Sequence, residues 1–351
     1  ALLMIALVLG LGTTAFAQNI NKNEAKQLKA FLAQPAAEGG TNADVLKVTD
    51  VKNLSSIEGV TVGADGHVTA IDWKDKKLAG SLDLSQFSAL QKVDVSRNKI
   101  KAINVSGSAA LYDLNASRNL LANLDIDGCT ALQNLKVYKN RLTELNVQGT
   151  PAIKNINCSS NLLVELNVAN SATLTTLNCQ GCHLESLMVA GCTNLKNLYC
   201  GYNKLTSLNL FEVTNLMNLN IDSNDITVMY VQSLPVLTSF LCSDNQMTTL
   251  GVKDCKGLLD LVCSYNDLTT LDITGCPNIQ YVDCSYNDLT SLTLSGQNFL
   301  QRVICNNNQL TMLDVSFDPA LTYVNCRSNM INDLRATASD NLGQLACQWY
   351  E

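Results

Sequence analysis

From Leu90 to Asn341 the chain repeats itself every 21 residues with no insertion. The residue that opens each unit recurs at Leu90, Leu111, Leu132, Ile153, Leu174, Leu195, Leu216, Leu237, Leu258, Ile279, Leu300 and Leu321, which defines twelve units. A fixed period in this range marks a solenoid, in which each unit is one coil that touches only its neighbours. Counted from that opening residue, positions 1, 4, 6, 11, 14 and 16 are apolar in every unit, as in Leu258, Leu261, Cys263, Leu268, Leu271 and Ile273. The 4-to-6 spacing is a strand period with the residue between turned outward, and the same pattern returns at 11, 14 and 16. Each coil therefore reads as two short strands joined by tight turns. One coil cannot bury six apolar side chains alone. Stacked coils share a continuous core, worth about 2 kcal/mol per buried side chain.

A second column is polar: Asn98, Asn119, Asn140, Asn161, Asn203, Asn224, Asn245, Asn266, Asn287, Asn308 and Asn329, with Cys182 in the one gap. An inward amide can donate and accept at once, so it can satisfy the backbone groups that a tight turn would otherwise strand in an apolar core. One residue type held at one phase along the whole array argues for construction rather than ligand binding.

The units resemble leucine-rich repeats of the form LxxLxLxxNxL, as in LQNLKVYKNRL from Leu132 to Leu142. The cysteine version, LxxLxCxxNxL, stands in LLDLVCSYNDL from Leu258 to Leu268. The doubled half-coil and 21-residue length are similar to the bacterial class called IRREKO leucine-rich repeats. That resemblance implies a β-rich solenoid with short parallel strands on both long faces. It also implies a bacterial secreted or cell-surface protein that binds other proteins. The functional part is analogy, since one fold hosts many functions.

Residues 1–17, ALLMIALVLGLGTTAFA, end in Ala15-Phe16-Ala17 and read as a signal peptide, too short for a comfortable membrane span. Residues 18–56 read as an N-terminal helical cap. Within them Ala25, Leu28, Phe31 and Leu32 fall at helical spacing over 21–34 and stop at Pro35. Residues 57–89 read as a cap hairpin turning at Ala64-Asp65-Gly66, followed by an irregular first coil. The twelve regular repeats fill 90–341. Residues 342–351 begin a further coil, which either closes the core with Trp349 or continues in a longer protein.

A net charge of -7 with no basic run disfavours nucleic acid as a partner. Most of the fourteen cysteines share inward position 6: Cys158, Cys179, Cys200, Cys242, Cys263, Cys284, Cys305 and Cys326, with Cys347 continuing the column. There a thiol acts as a small buried hydrophobe. Cys129, Cys192, Cys255 and Cys276 occupy position 19, and Cys255 and Cys276, on adjacent coils, are the pair whose placement admits a disulfide. Cys179-Gln180-Gly181-Cys182-His183 spells the CxxCH motif of haem attachment, but the repeat already accounts for both cysteines, and no cofactor is expected. The same cluster lacks a tetrahedral ligand set for zinc. Asp225, Asp267 and Asp288 share position 10 and could attract calcium, although carboxylates in turns are usually only solvated. With His67 and His183 the only histidines, an acid–base constellation has few possible members and no enzyme is expected.

Binding should use the outward positions of the first strand, chiefly 3 and 5. Position 5 carries Tyr199, Leu241, Val262 and Ile304; position 3 carries Tyr281, Arg302 and Tyr323; position 8, at the strand's edge, carries Tyr202, Tyr265 and Tyr286. Tyrosine, aliphatics and one arginine form the composition of a protein hot spot, and a protein partner is expected. The same tyrosines beside Asn and Asp could stack on a glycan. A third reading makes the array a spacer in a larger surface protein, its face idle.

Overall fold

The computed structural model describes residues 20–50, 57–85, 87–294 and 296–347. The signal-peptide reading and the alternatives offered for the last coil around Trp349 lie outside these residues. A β-solenoid fills the described chain. One face is a single 15-stranded sheet that begins with the antiparallel hairpin Val60–Val62 and Val68–Asp72 and then runs in parallel, one strand per coil, to Gln344–Ala346. After a first parallel step of 22 residues, from Ala70 to Lys92, the register advances by 21 residues at each step, so equivalent positions form straight columns: Tyr281 pairs with Arg302, and Arg302 with Tyr323.

The opposite face also carries parallel strands, in four shorter sheets. The first joins Ala79–Asp83, Lys99–Asn104 and Asn123–Asp125, and the last runs from Thr270–Asp272 to Asp333–Arg335. Strands on both faces follow from the doubled 1-4-6 pattern, since the same spacing buries alternate residues in each half-coil. The second face is interrupted in the coils that open at Leu132 and Leu195, which form no strand there. In the latter coil Leu208 and Leu210 are only partly buried, whereas equivalent leucines and valines elsewhere are sealed. At the six apolar positions of all twelve units the side chains are otherwise buried, apart from Leu124, Leu334 and Ala336.

The asparagine column shows how the turns are held. Asn266 donates through Nδ2 to the carbonyls of Cys242 at 3.0 Å and Cys263 at 3.1 Å, and its Oδ1 accepts from the Met247 N–H at 3.0 Å. One side chain thus ties its own coil to the coil before it. Asn287 and Asn308 repeat the pattern at the same distances to their own partners. In the gap, the Cys182 thiol donates to the Cys158 carbonyl at 3.1 Å, but a thiol offers no comparable acceptor to the previous coil.

A second ladder stands at position 19. Ser108, Cys129, Cys192, Cys255, Cys276 and Ser339 each donate to a carbonyl of the preceding coil, among them Leu84, Val105 and Val315. Cys255 and Cys276, the pair whose placement admits a disulfide, form none: both thiols are buried and free. They point along the stack at the carbonyls of Val231 and Val252, not at each other. The disulfide in the structure joins Cys326 to Cys347, the end pair of the position-6 column, with Cα atoms 4.9 Å apart. Burial pushes four of these thiols up, Cys129 to about 11 and Cys200, Cys276 and Cys305 to about 12, so these four lack the thiolate character of reactive cysteines.

At the N-terminal end, helix Lys22–Leu32 covers the first coils, slightly shorter than the span 21–34 that the apolar spacing suggests. Asn21 caps it by accepting from the Asn23 N–H at 3.0 Å. Phe31 stacks on Trp73 with ring centroids 5.7 Å apart. The buried Asn42 donates to the carbonyls of Phe31 and Ala79 and accepts from the Ala79 N–H, so it joins the cap to the stack as the ladder asparagines join coils. Glu24, also buried, binds His67 Nδ1 and the Val68 N–H, each at 2.8 Å, and locks the helix to the hairpin.

Candidate binding face

The outward positions of the 15-stranded sheet form a flat grid on a backbone hydrogen-bonded on both sides over most of its width. Position 5 forms the column Tyr199, Asn220, Leu241, Val262, Asp283, Ile304 and Asn325, paired strand by strand in register. The aliphatic members are half-buried within the sheet, with one side left to solvent.

Position 3 brings Tyr281, Arg302 and Tyr323 onto three successive strands. The Arg302 guanidinium lies 4.5 Å from the Tyr323 ring centroid and 6.0 Å from that of Tyr281. Both are within cation–π range. At position 8 the backbone turns through the left-handed region, with φ +57° at Tyr202 and +54° at Tyr265 and Tyr286. That conformation is uncommon for a bulky residue. It throws the rings clear of the coil: Tyr202, Tyr265 and Tyr286 are 65%, 54% and 44% exposed, and the last two stack at 4.3 Å with planes 8° apart. Tyr199, Leu241, Val262, Tyr265, Tyr281, Tyr286, Arg302, Ile304 and Tyr323 thus lie on one face and its rim.

The other sequence candidates lie elsewhere. Cys179 and Cys182 are buried in the core, while His183 is exposed at a turn. Asp267 and Asp288 are exposed; Asp225 and Asp288 accept from the amides of Gln246 and Gln309 at 3.0 and 2.8 Å. Among the described residues, no group of three or more His, Cys, Asp or Glu side chains is placed to hold a metal ion. No described helix is long and apolar enough to cross a membrane. Two features escaped sequence reasoning. The position-19 ladder changes residue type from coil to coil, so the shared signal was phase alone. The ring stacking of Tyr265 on Tyr286 could have been inferred from their 21-residue separation.

The fold is a leucine-rich-repeat solenoid, and solved structures of bacterial leucine-rich-repeat proteins share it. The chain is similar to the functional domain of InlJ from Listeria monocytogenes, whose structure includes a cysteine ladder. The two share 26% identity and a TM-score of 0.56 over 79% of this chain and 69% of that one. A leucine-rich-repeat protein of Leptospira interrogans shares 24% identity and a TM-score of 0.59 over 70% of each chain. YopM, a leucine-rich effector protein of Yersinia pestis, shares 22% identity and a TM-score of 0.57 over 76% of this chain and 82% of that one. No protein-family model and no curated protein matches the chain.

Proposed function

We propose that this protein is exported to the cell surface or beyond and acts without catalysis, docking a protein partner on the face between Tyr199 and Tyr323. The observation that carries this reading is the concentration of tyrosine, aliphatic side chains and one arginine on seven successive strands, from Asn197–Tyr199 to Tyr323–Asn325. These residue types dominate interface hot spots because they bury large areas at little rotameric loss. Their backbone is already ordered, which lowers the entropic cost of docking. The signal-like run at 1–17 supports export.

The test is a binding screen against immobilised extracellular matrix proteins and a glycan array. A variant carrying Tyr199→Ser, Leu241→Ser, Val262→Ser and Ile304→Ser is screened in parallel. Protein binding that the variant loses while keeping its melting curve supports the reading. Binding only to glycans would make the tyrosines a sugar platform. No binding by either protein would leave the solenoid as a spacer.

A further inference from the structure

The guanidinium of Arg302 is the most sharply defined polar group on the proposed face, and its surroundings restrict what can meet it. In-register pairing sets Tyr281 on the strand before it and Tyr323 on the strand after it, so the cation lies between two rings. A guanidinium attracted to ring faces in this way keeps its N–H groups available to a further partner. Arg302 is exposed, and among the described residues its side chain has no carboxylate or carbonyl partner. Asp283, on the adjacent strand, already accepts from the Ser285 N–H and hydroxyl at 3.0 and 2.6 Å.

We propose that Arg302, held between Tyr281 and Tyr323, is a receptor for a single carboxylate of the protein partner, an Asp or Glu side chain flanked by apolar residues. This rests on the proposed binding face and specifies the chemistry at its centre. A planar, ordered guanidinium matches a carboxylate through two parallel N–H···O bonds. The site is bounded by the two tyrosines and by Ile304 two residues along the same strand, with Val262 two strands away, and these suit aliphatic or aromatic neighbours of the acidic residue. Charge selects against a more highly charged ligand. Asp260 and Asp283 stand on the two preceding strands and outnumber the arginine, so the patch repels a phosphate dianion or a polyanionic chain while one carboxylate can still be taken up.

The probe is a set of end-capped peptides carrying one Glu between Leu and Tyr, with matched peptides bearing Gln or phosphoserine. Each is titrated into the 15N-labelled protein while the arginine Nε–H resonances are followed; the Arg302 signal is assigned by its loss in Arg302→Lys. The proposal expects the Glu peptide to shift that resonance saturably and the Gln peptide to bind about tenfold or more weakly, the loss expected for a charged hydrogen-bonded pair. Phosphoserine should bind no better than Glu. Tyr281→Leu/Tyr323→Leu, which keeps the arginine but frees it, should weaken the Glu peptide while leaving the fold's melting curve in place. Equal affinity for Glu and Gln peptides, no saturable shift, or stronger binding of phosphoserine would overturn the proposal. A protein partner that is lost with the aliphatic serine variant but retained by Arg302→Leu would overturn the carboxylate receptor and leave the face standing.

Discussion

Replacing Asn266 by alanine removes four hydrogen bonds at once, the longest of them to the Ser264 carbonyl at 3.3 Å, and the surrounding geometry says which of them matters most. The Met247 N–H has Asn266 Oδ1 as its partner and, among the described residues, no other. The two carbonyls that Asn266 serves at closer range each keep a second donor, Cys242 from Asn245 and Cys263 from Asn287, and the more distant Ser264 carbonyl keeps the Asp244 N–H. One buried N–H is therefore orphaned, which costs about 1–3 kcal/mol, and the two nearer carbonyls lose one bond each at about 0.5–1.5 kcal/mol. Partial relaxation brings the expected loss to about 2–4 kcal/mol. Solenoids need not unfold in one step, so a urea melt followed by circular dichroism should be joined to native-state hydrogen exchange at Met247. The reasoning expects the Met247 amide to lose protection while amides several coils away keep theirs. Asn266→Asp should be at least as damaging at neutral pH, because it keeps the acceptor but turns a charge toward two carbonyls. A melt within 0.5 kcal/mol of the parent, taken as about the scatter of a neutral surface change, together with unchanged Met247 exchange would refute the role.

The gap in the column makes the converse test. Cys182→Asn should stabilise the chain by about 1–2 kcal/mol in the same melt, because an amide in that slot can accept from the Leu163 N–H, which has no partner among the described residues. Asp318, fully buried with one carboxylate oxygen that has no partner among the described residues, has its pKa raised by burial from 3.8 to about 6. The folded state then holds a proton that the unfolded state has lost, so this group's contribution to stability falls as pH rises from about 4 to about 6. Two units correspond to an upper bound of about 3 kcal/mol. Asp318→Asn should therefore stabilise by about 1–3 kcal/mol in melts at pH 7.5 and by little at pH 4. His67 has its pKa raised, chiefly by its hydrogen bond to Glu24. That support for the cap is full below the ordinary histidine pKa and is lost as pH rises through the raised value; Glu24→Gln should flatten this dependence in exchange rates of the Val68 amide.

Much of the architecture was legible because the repeat carries it. Six apolar positions at two strand spacings force two half-coils, and twelve unbroken units force in-register columns, so the adjacency of Tyr281, Arg302 and Tyr323 followed from arithmetic. What escaped was contact that the period does not encode. Glu24 and His67 lie 43 residues apart and meet only because the cap folds back on the hairpin. Position 19 hid its donor ladder behind mixed residue types, and its cysteines suggested a bridge where each thiol serves a carbonyl. The loosened half-coil around Leu208 and Leu210 keeps apolar residues at the same positions as its neighbours, where Leu187 and Val189 or Met229 and Val231 stand, and we find no sequence reason for its departure.

The central claim is that the 15-stranded sheet, and not the opposite face, is the surface that partners meet. The most direct measurement compares two variants of the full chain against whichever immobilised matrix protein the parent binds. One carries Leu241→Ser, Val262→Ser and Ile304→Ser on the sheet. The other carries Val228→Ser and Tyr230→Ser, which are 44% and 58% exposed on the opposite face. With melting curves matched, the account predicts that the first variant loses about tenfold or more in affinity and the second keeps it. Loss in the second variant with retention in the first would contradict the account and move the binding surface to the other side of the solenoid.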